Sequence, residues 1–138
     1  MKYYAVIDTN VLIAALLSKK SDSATVLVLH SILSGKIIPL YHKEIIEEYN
    51  EVLHRPKFNL NDKTIKIVLD SIIQNGVEVI PTPTGEILPD IDDSIFYEVA
   101  MEKQGDNAYL VTGNQKHYPV KKFIVTPTQM MEIIKNEK

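Results

Sequence analysis

The chain contains no cysteine, which excludes disulfides, thiolate metal sites and a cysteine nucleophile. Long hydrophobic runs are missing too: no uninterrupted apolar stretch approaches the ~20 residues of a membrane span. The most apolar segment, Tyr3 to Leu17, follows Lys2 but is broken by Asp8-Thr9-Asn10. No small-residue cleavage site clearly follows it, so it does not read as a signal peptide. These absences predict a soluble, cytoplasmic protein with no membrane contact. A basic excess is also lacking: 15 Lys and Arg stand against 18 Asp and Glu, a formal net charge of −3. The chain as a whole therefore has no attraction for nucleic acid, and a nucleic-acid enzyme of this balance needs a local basic rim. Lys19/Lys20, His54/Arg55/Lys57 and Lys116/His117 with Lys121/Lys122 are the candidate clusters, unless they are ordinary solvated charges. The four histidines are scattered, without the close spacing of a zinc site.

What is present fits one domain, residues 1–138, with 45% hydrophobic residues to supply a core. Tyr3 to Ile7 reads as a buried strand. Asn10 can cap a helix through about Leu17, and Ser21 to Ser23 a second helix to about Leu33, stopped by Gly35. Ile37 to Tyr41 is a second strand. His42 to His54 is amphipathic, with Ile45, Ile46, Tyr49, Val52 and Leu53 on one face, and Pro56 ends it. Asn61 or Asp62 caps a helix that turns Ile65, Val68, Leu69, Ile72 and Ile73 inward and stops at Gly76. Val77 to Ile80 is a third strand and Pro81 to Pro89 a loop.

Asp92 or Asp93 opens a helix burying Ile95, Phe96, Val99 and Ala100. Ala108 to Val111 and Phe123 to Val125 are further strands. Thr126-Pro127-Thr128-Gln129 has the pattern of a capping box with proline at the first helical position. Apolar strands alternating with helices predict a three-layer α/β/α sandwich around a mostly parallel sheet of about five strands.

Three acidic clusters stand out: Asp8, Glu47/Glu48, and Asp90/Asp92/Asp93. Ligands of open parallel sheets bind beyond the carboxyl ends of the strands, where strand order reverses. Asp8 and Thr112-Gly113-Asn114 end strands, and the Asp90 group opens a helix. Glu47 and Glu48 lie within a helix, Glu48 flanking its apolar stripe. Gathered carboxylates repel unless a cation neutralises them, and an all-oxygen site suits Mg²⁺ or Mn²⁺. Taken singly, Asp8 and Asp93 read equally as helix caps, Glu47/Glu48 as a solvated face, and Thr112-Gly113-Asn114 as a turn.

These motifs resemble those of PIN-domain ribonucleases. Val6-Ile7-Asp8-Thr9-Asn10-Val11-Leu12-Ile13 is similar to the family's opening. Glu44 to Phe58 resembles its second motif, Asp90 to Ala100 its third, and Tyr109 to Asn114 with Lys116-His117-Tyr118-Pro119 its fourth. The order is right over nearly the whole chain, and the nearest branch is that of single-domain prokaryotic toxins of toxin–antitoxin pairs. The resemblance implies a metal-dependent endoribonuclease with Asp8, Glu48 and Asp93 as catalytic, metal-binding carboxylates. It implies Asn114 at the position of a fourth, usually acidic, ligand. An amide there removes one negative charge, which lowers metal affinity and bears against a two-metal mechanism. Thr9, Asn10, Asp90, Asp92 and Thr112 are expected around these ligands, and Arg55, Lys57, Lys116 and Lys122 along an RNA path. The implied partners are single-stranded or structured RNA, a small antitoxin protein and a second copy in a homodimer.

Two other readings stay open. One is a PIN fold that binds RNA or protein and cuts weakly or not at all, which the amide at Asn114 favours. The other is phosphoryl transfer with Asp8 as nucleophile, disfavoured because Asn10 stands where such enzymes carry a second aspartate.

Overall fold

The computed structural model describes residues 2–90 and 93–136. Asp92, expected near the site, lies outside the described residues.

The first strand, β1 (Tyr3–Ile7), is buried at every position but Tyr4, which is half-buried. A near-continuous apolar run is what a strand covered on both faces requires. It pairs in parallel with β2 (Ile37–Tyr41) on one side and β4 (Ala108–Val111) on the other. The short strands β3 (Val77–Glu78) and β5 (Ile124–Val125) extend the sheet outward, giving the order β3-β2-β1-β4-β5 with every pairing parallel. Among the described residues, six α-helices flank this sheet: α1 (Thr9–Leu17), α2 (Ala24–Leu33), α3 (Lys43–Leu53), α4 (Asp62–Asn75), α5 (Ser94–Lys103) and α6 (Pro127–Lys135). The result is the expected three-layer α/β/α sandwich, with a wholly parallel sheet. No helix among the described residues is long and apolar enough to cross a membrane.

Local chemistry sets most boundaries. Helix α2 gives way to Gly35 at φ 85°, a left-handed position that favours glycine. Asn61 caps α4, its side chain accepting from the Lys63 N–H at 2.7 Å. Thr126 and Gln129 form the reciprocal capping box at α6. Gly76 is needed for close approach: a Cβ there would collide with the carbonyls of Ile72 and Pro39.

Four expectations are corrected. The third strand stops at Glu78 rather than Ile80 because its partner β2 ends at Tyr41; Val79 donates a last bond to the Tyr41 carbonyl, and Ile80 is exposed. Ile73 does not turn inward but is exposed beside a cleft between α3 and α4 that also takes Ile46 and Leu69. The cap position of α1 belongs to Asp8, not Asn10. On α5, Tyr97 joins Phe96, Val99 and Ala100 in the core while Ile95 is only half-buried.

Strand order reverses between β1 and β4, the central pair, whose carboxyl ends are Ile7 and Val111. The residues that follow these two ends, Asp8 and Thr112, therefore stand side by side at the switch point.

Candidate active site

Asp8 is at the N-cap position of α1, yet its side chain makes no cap hydrogen bond. The carboxylate instead faces β4. Thr112, fully buried, donates its hydroxyl to Asp8 Oδ2 at 2.7 Å. Tyr118, buried in the segment after β4, donates its phenol to the same oxygen at 3.1 Å. Asp8 is only 5% exposed, and a charge buried that deeply needs such donors. The backbone is also fixed: the Asp8 N–H donates to the Val111 carbonyl at 2.9 Å, and the buried Tyr49 hydroxyl donates to the Ile7 carbonyl.

Helix α3 brings in its glutamate. Glu48 is half-buried and Glu47 exposed, so the two adjacent residues part company. Glu47 lines the cleft of about 530 Å³ between α3 and α4, with Asn50, His54 and Lys66. Glu48 turns toward the start of α1, where Thr9 Oγ1 donates to Glu48 Oε2 at 2.5 Å. This short bond ties the start of α1 to α3.

Asp93 is the N-cap residue of α5, again without a side-chain cap bond. Its carboxyl pKa is raised from 3.8 to about 6, first by burial, then by the charges of Asp8, Asp90 and Glu48, against an opposing pull from His117. Three carboxylates reached from three helices thus share one electrostatic environment. Asp93 Oδ2 is buried and receives no hydrogen bond among the described residues. His117 Nδ1 lies 3.3 Å away, close enough for charge attraction but not joined by a hydrogen bond. The amino ends of α1 and α5 both open at this cluster, adding partial positive charge beneath it.

The neighbouring residues divide. Asn10 accepts a bond from the Gly113 N–H at 3.2 Å, so it pins the β4 turn rather than capping a helix. Asn114 is exposed, and the contact it makes toward the cluster is its backbone N–H donated to Thr112 Oγ1 at 3.0 Å. Asp90 is exposed and adjoins Asp93 through a backbone bond from the Asp93 N–H. Arg55 is held by Glu51 at 3.1 Å and Lys57 sits over the Phe58 ring, neither contact leading to the carboxylates. Lys116 is exposed in the 3-10 turn Gln115–His117 beside the cluster, and Lys122 is exposed farther along the same segment.

Tyr118 and His117 entered the sequence reading within the fourth motif, His117 also as one of the basic residues, but neither was assigned a place beside the carboxylates. Their signal was adjacency: they follow Thr112-Gly113-Asn114 by only a few positions, so the same turn returns them to the strand end.

A cation suits this donor set. The donors are hard oxygens, the charges of Asp8 and Glu48 raise the carboxyl pKa of Asp93, and one oxygen of Asp93 is buried without a hydrogen bond. Among the described residues no three acidic or imidazole side chains close to coordination distance of a common point.

A family model described as "PIN domain" matches residues 4–116. No curated protein matches the chain.

Proposed function

Because the chain belongs to the PIN-domain family, whose members are generally nucleases and typically depend on a divalent metal, we propose that it is an Mg²⁺- or Mn²⁺-dependent endoribonuclease. The observation that carries this reading is the joint placement of Asp8, Glu48 and Asp93 at the switch point of a parallel sheet, with Asp93 responding to the charge of the other two. Asp8, Glu48 and Asp93 would hold the ion, with Asn114 at the rim. When bound, a divalent cation supplies charge stabilisation of the phosphate and activation of water.

The chain's own residues do the rest. Thr112 and Tyr118 hold Asp8 and Thr9 holds Glu48, so two of the three carboxylates are aimed before substrate arrives. Preorganised ligands of this kind spare the reaction the work of ordering them. Asp93 is placed to take the proton of the attacking water, and the half-exposed His117, 3.3 Å from it, to pass that proton to solvent. No protein side chain becomes covalently attached. RNA approaches along Lys116 and Lys122, with Arg55 and Lys57 more distant. The biological role we propose is that of the toxin in a toxin–antitoxin pair, acting in the cytoplasm, silenced by a small antitoxin and paired with a second copy.

The test is cleavage of end-labelled single-stranded RNA in Mg²⁺, Mn²⁺ and EDTA, with Asp8→Asn alongside. Cutting that requires metal and disappears in the variant supports the proposal. Metal-dependent cutting that survives Asp8→Asn sinks it. A second reading, an RNA- or protein-binding PIN module without activity, draws on the exposed amide of Asn114. No stabilisation of the folded protein by millimolar Mn²⁺ would favour that reading, since an ion held by the native state must raise its melting temperature.

A further inference from the structure

We infer that Tyr118 is a positioning residue of the metal site: its phenol, acting with Thr112, fixes the plane of the Asp8 carboxylate and leaves Oδ1 to the ion. This rests on the nuclease reading above only for the identity of the site. Two hydroxyls reach Asp8 Oδ2 from different places, Thr112 at the end of β4 and Tyr118 six residues beyond. Together the two hydroxyls hold Oδ2 in place against rotation of the carboxylate about its Cβ–Cγ bond.

The segment between those donors is itself braced. The His117 N–H donates to the Asn114 carbonyl at 3.0 Å, and the Tyr118 N–H to the Gln115 carbonyl at 3.1 Å. The Gln115 side chain donates to the Ile124 carbonyl on β5 at 3.0 Å. The adjacent residues His117 and Tyr118 then touch different carboxylates, Asp93 and Asp8 respectively. One short turn thereby spans the two aspartates and sets their spacing. Burial, and then the negative charge of Asp8 and Asp93, push the phenol of Tyr118 far above its ordinary range. The ring alone would fill the core equally well as phenylalanine, so the hydroxyl is what the site uses.

The experiment compares Tyr118→Phe with the parent protein. Bound Mn²⁺ is counted from the loss of the free-ion electron paramagnetic resonance signal, and RNA cleavage is resolved into kcat and KM. Loss of a residue that orients a metal ligand lowers affinity by about tenfold or more. The expected result is that loss for Mn²⁺, a lower kcat, an unchanged KM for RNA and a metal-free melting temperature within a few degrees of the parent. Unchanged Mn²⁺ affinity in the folded variant overturns the inference. If Tyr118→Phe does not fold, the ζ-carbon resonance of Tyr118 in the ¹³C-tyrosine-labelled parent decides. A shift on saturation with Mg²⁺ supports the role, and an unmoved resonance overturns it. A parent that binds Mn²⁺ but cuts no RNA refutes the nuclease reading while the affinity ratio still judges Tyr118. A parent that binds no Mn²⁺ overturns both.

Discussion

The Thr9 hydroxyl and the Glu48 carboxylate, 39 positions apart, meet at 2.5 Å. Thr9 is the first residue of α1 and Glu48 lies mid-way along α3, so this bond locks two helices at the rim of the sheet. Thr9→Val keeps the volume and removes the donor. RNA cleavage should fall by about tenfold or more through misaligned Glu48, while circular dichroism shows an intact fold. A Thr9→Val protein with the parent's rate would show that Glu48 needs no such support.

Glu47 and Glu48 make a matched pair of controls. Glu48→Gln should abolish metal-dependent cleavage. Glu47→Gln, on the cleft between α3 and α4, should leave it unchanged. Equal loss in both would mean that only the charge of α3 matters, not the position of one carboxylate.

The metal-free protein should lose stability as pH rises from about 4 to 6. Asp93 titrates at about 6 when folded against 3.8 ordinarily, so the folded state binds the extra proton across that window. Stability falls with pH wherever the native state holds more protons than the unfolded one. Asp93→Asn should flatten this part of a melting-temperature profile and leave the metal-free variant more stable than the parent at pH 7. Saturating Mn²⁺ should reverse the slope in the parent, because the ion binds the deprotonated carboxylate.

Tyr49 is a stability probe next to the site. Its buried hydroxyl donates to the Ile7 carbonyl, one residue before Asp8. Tyr49→Phe leaves that carbonyl without its donor and should cost about 1–3 kcal/mol in urea unfolding. A smaller kcat is expected as well, since the backbone under Asp8 is loosened.

Salt dependence checks the path for RNA. If Lys116 and Lys122 each neutralise a phosphate, Lys116→Ala and Lys122→Ala should each reduce the slope of log affinity against log salt by about 0.7 for a single strand. Arg55→Ala, removing a side chain already paired with Glu51, should change the slope less.

The sequence was most legible where one physical signal dominated. The apolar run Tyr3–Ile7 closed by Asp8, the limits of β2 at Ile37 and Tyr41, and the box at Thr126 and Gln129 all read directly. Of the adjacent glutamates on the amphipathic helix, Glu48 flanks the apolar stripe and is the one the resemblance implies; it is half-buried, while Glu47 is exposed. Asp8 and Asp93 were open to the reading of helix caps. They occupy the cap positions, but tertiary donors and neighbours redirect both side chains. Where long-range pairing decided the outcome, local pattern failed. Strand β3 stops because β2 stops, Ile73 is exposed because α3 leaves a cleft there, and Tyr118, read only as part of the fourth motif, reaches Asp8 because the β4 turn returns it to the strand end.

Residues 82–88, between β3 and α5, lie along α5, tied by the Thr82 N–H to Glu102 at 3.0 Å and the Thr84 N–H to Glu98 at 3.4 Å, with Leu88 buried. Asp8 rides on the central strand, whereas Asp93 comes just after this loop. The two halves of the site therefore belong to different units of opening. Amide hydrogens of β1 and β4 should exchange only with global unfolding, and those of Thr82 and Thr84 by a far easier local release. How long Thr82 and Thr84 stay docked is thus governed by two glutamates of α5, Glu102 and Glu98, and not by the sheet that carries Asp8.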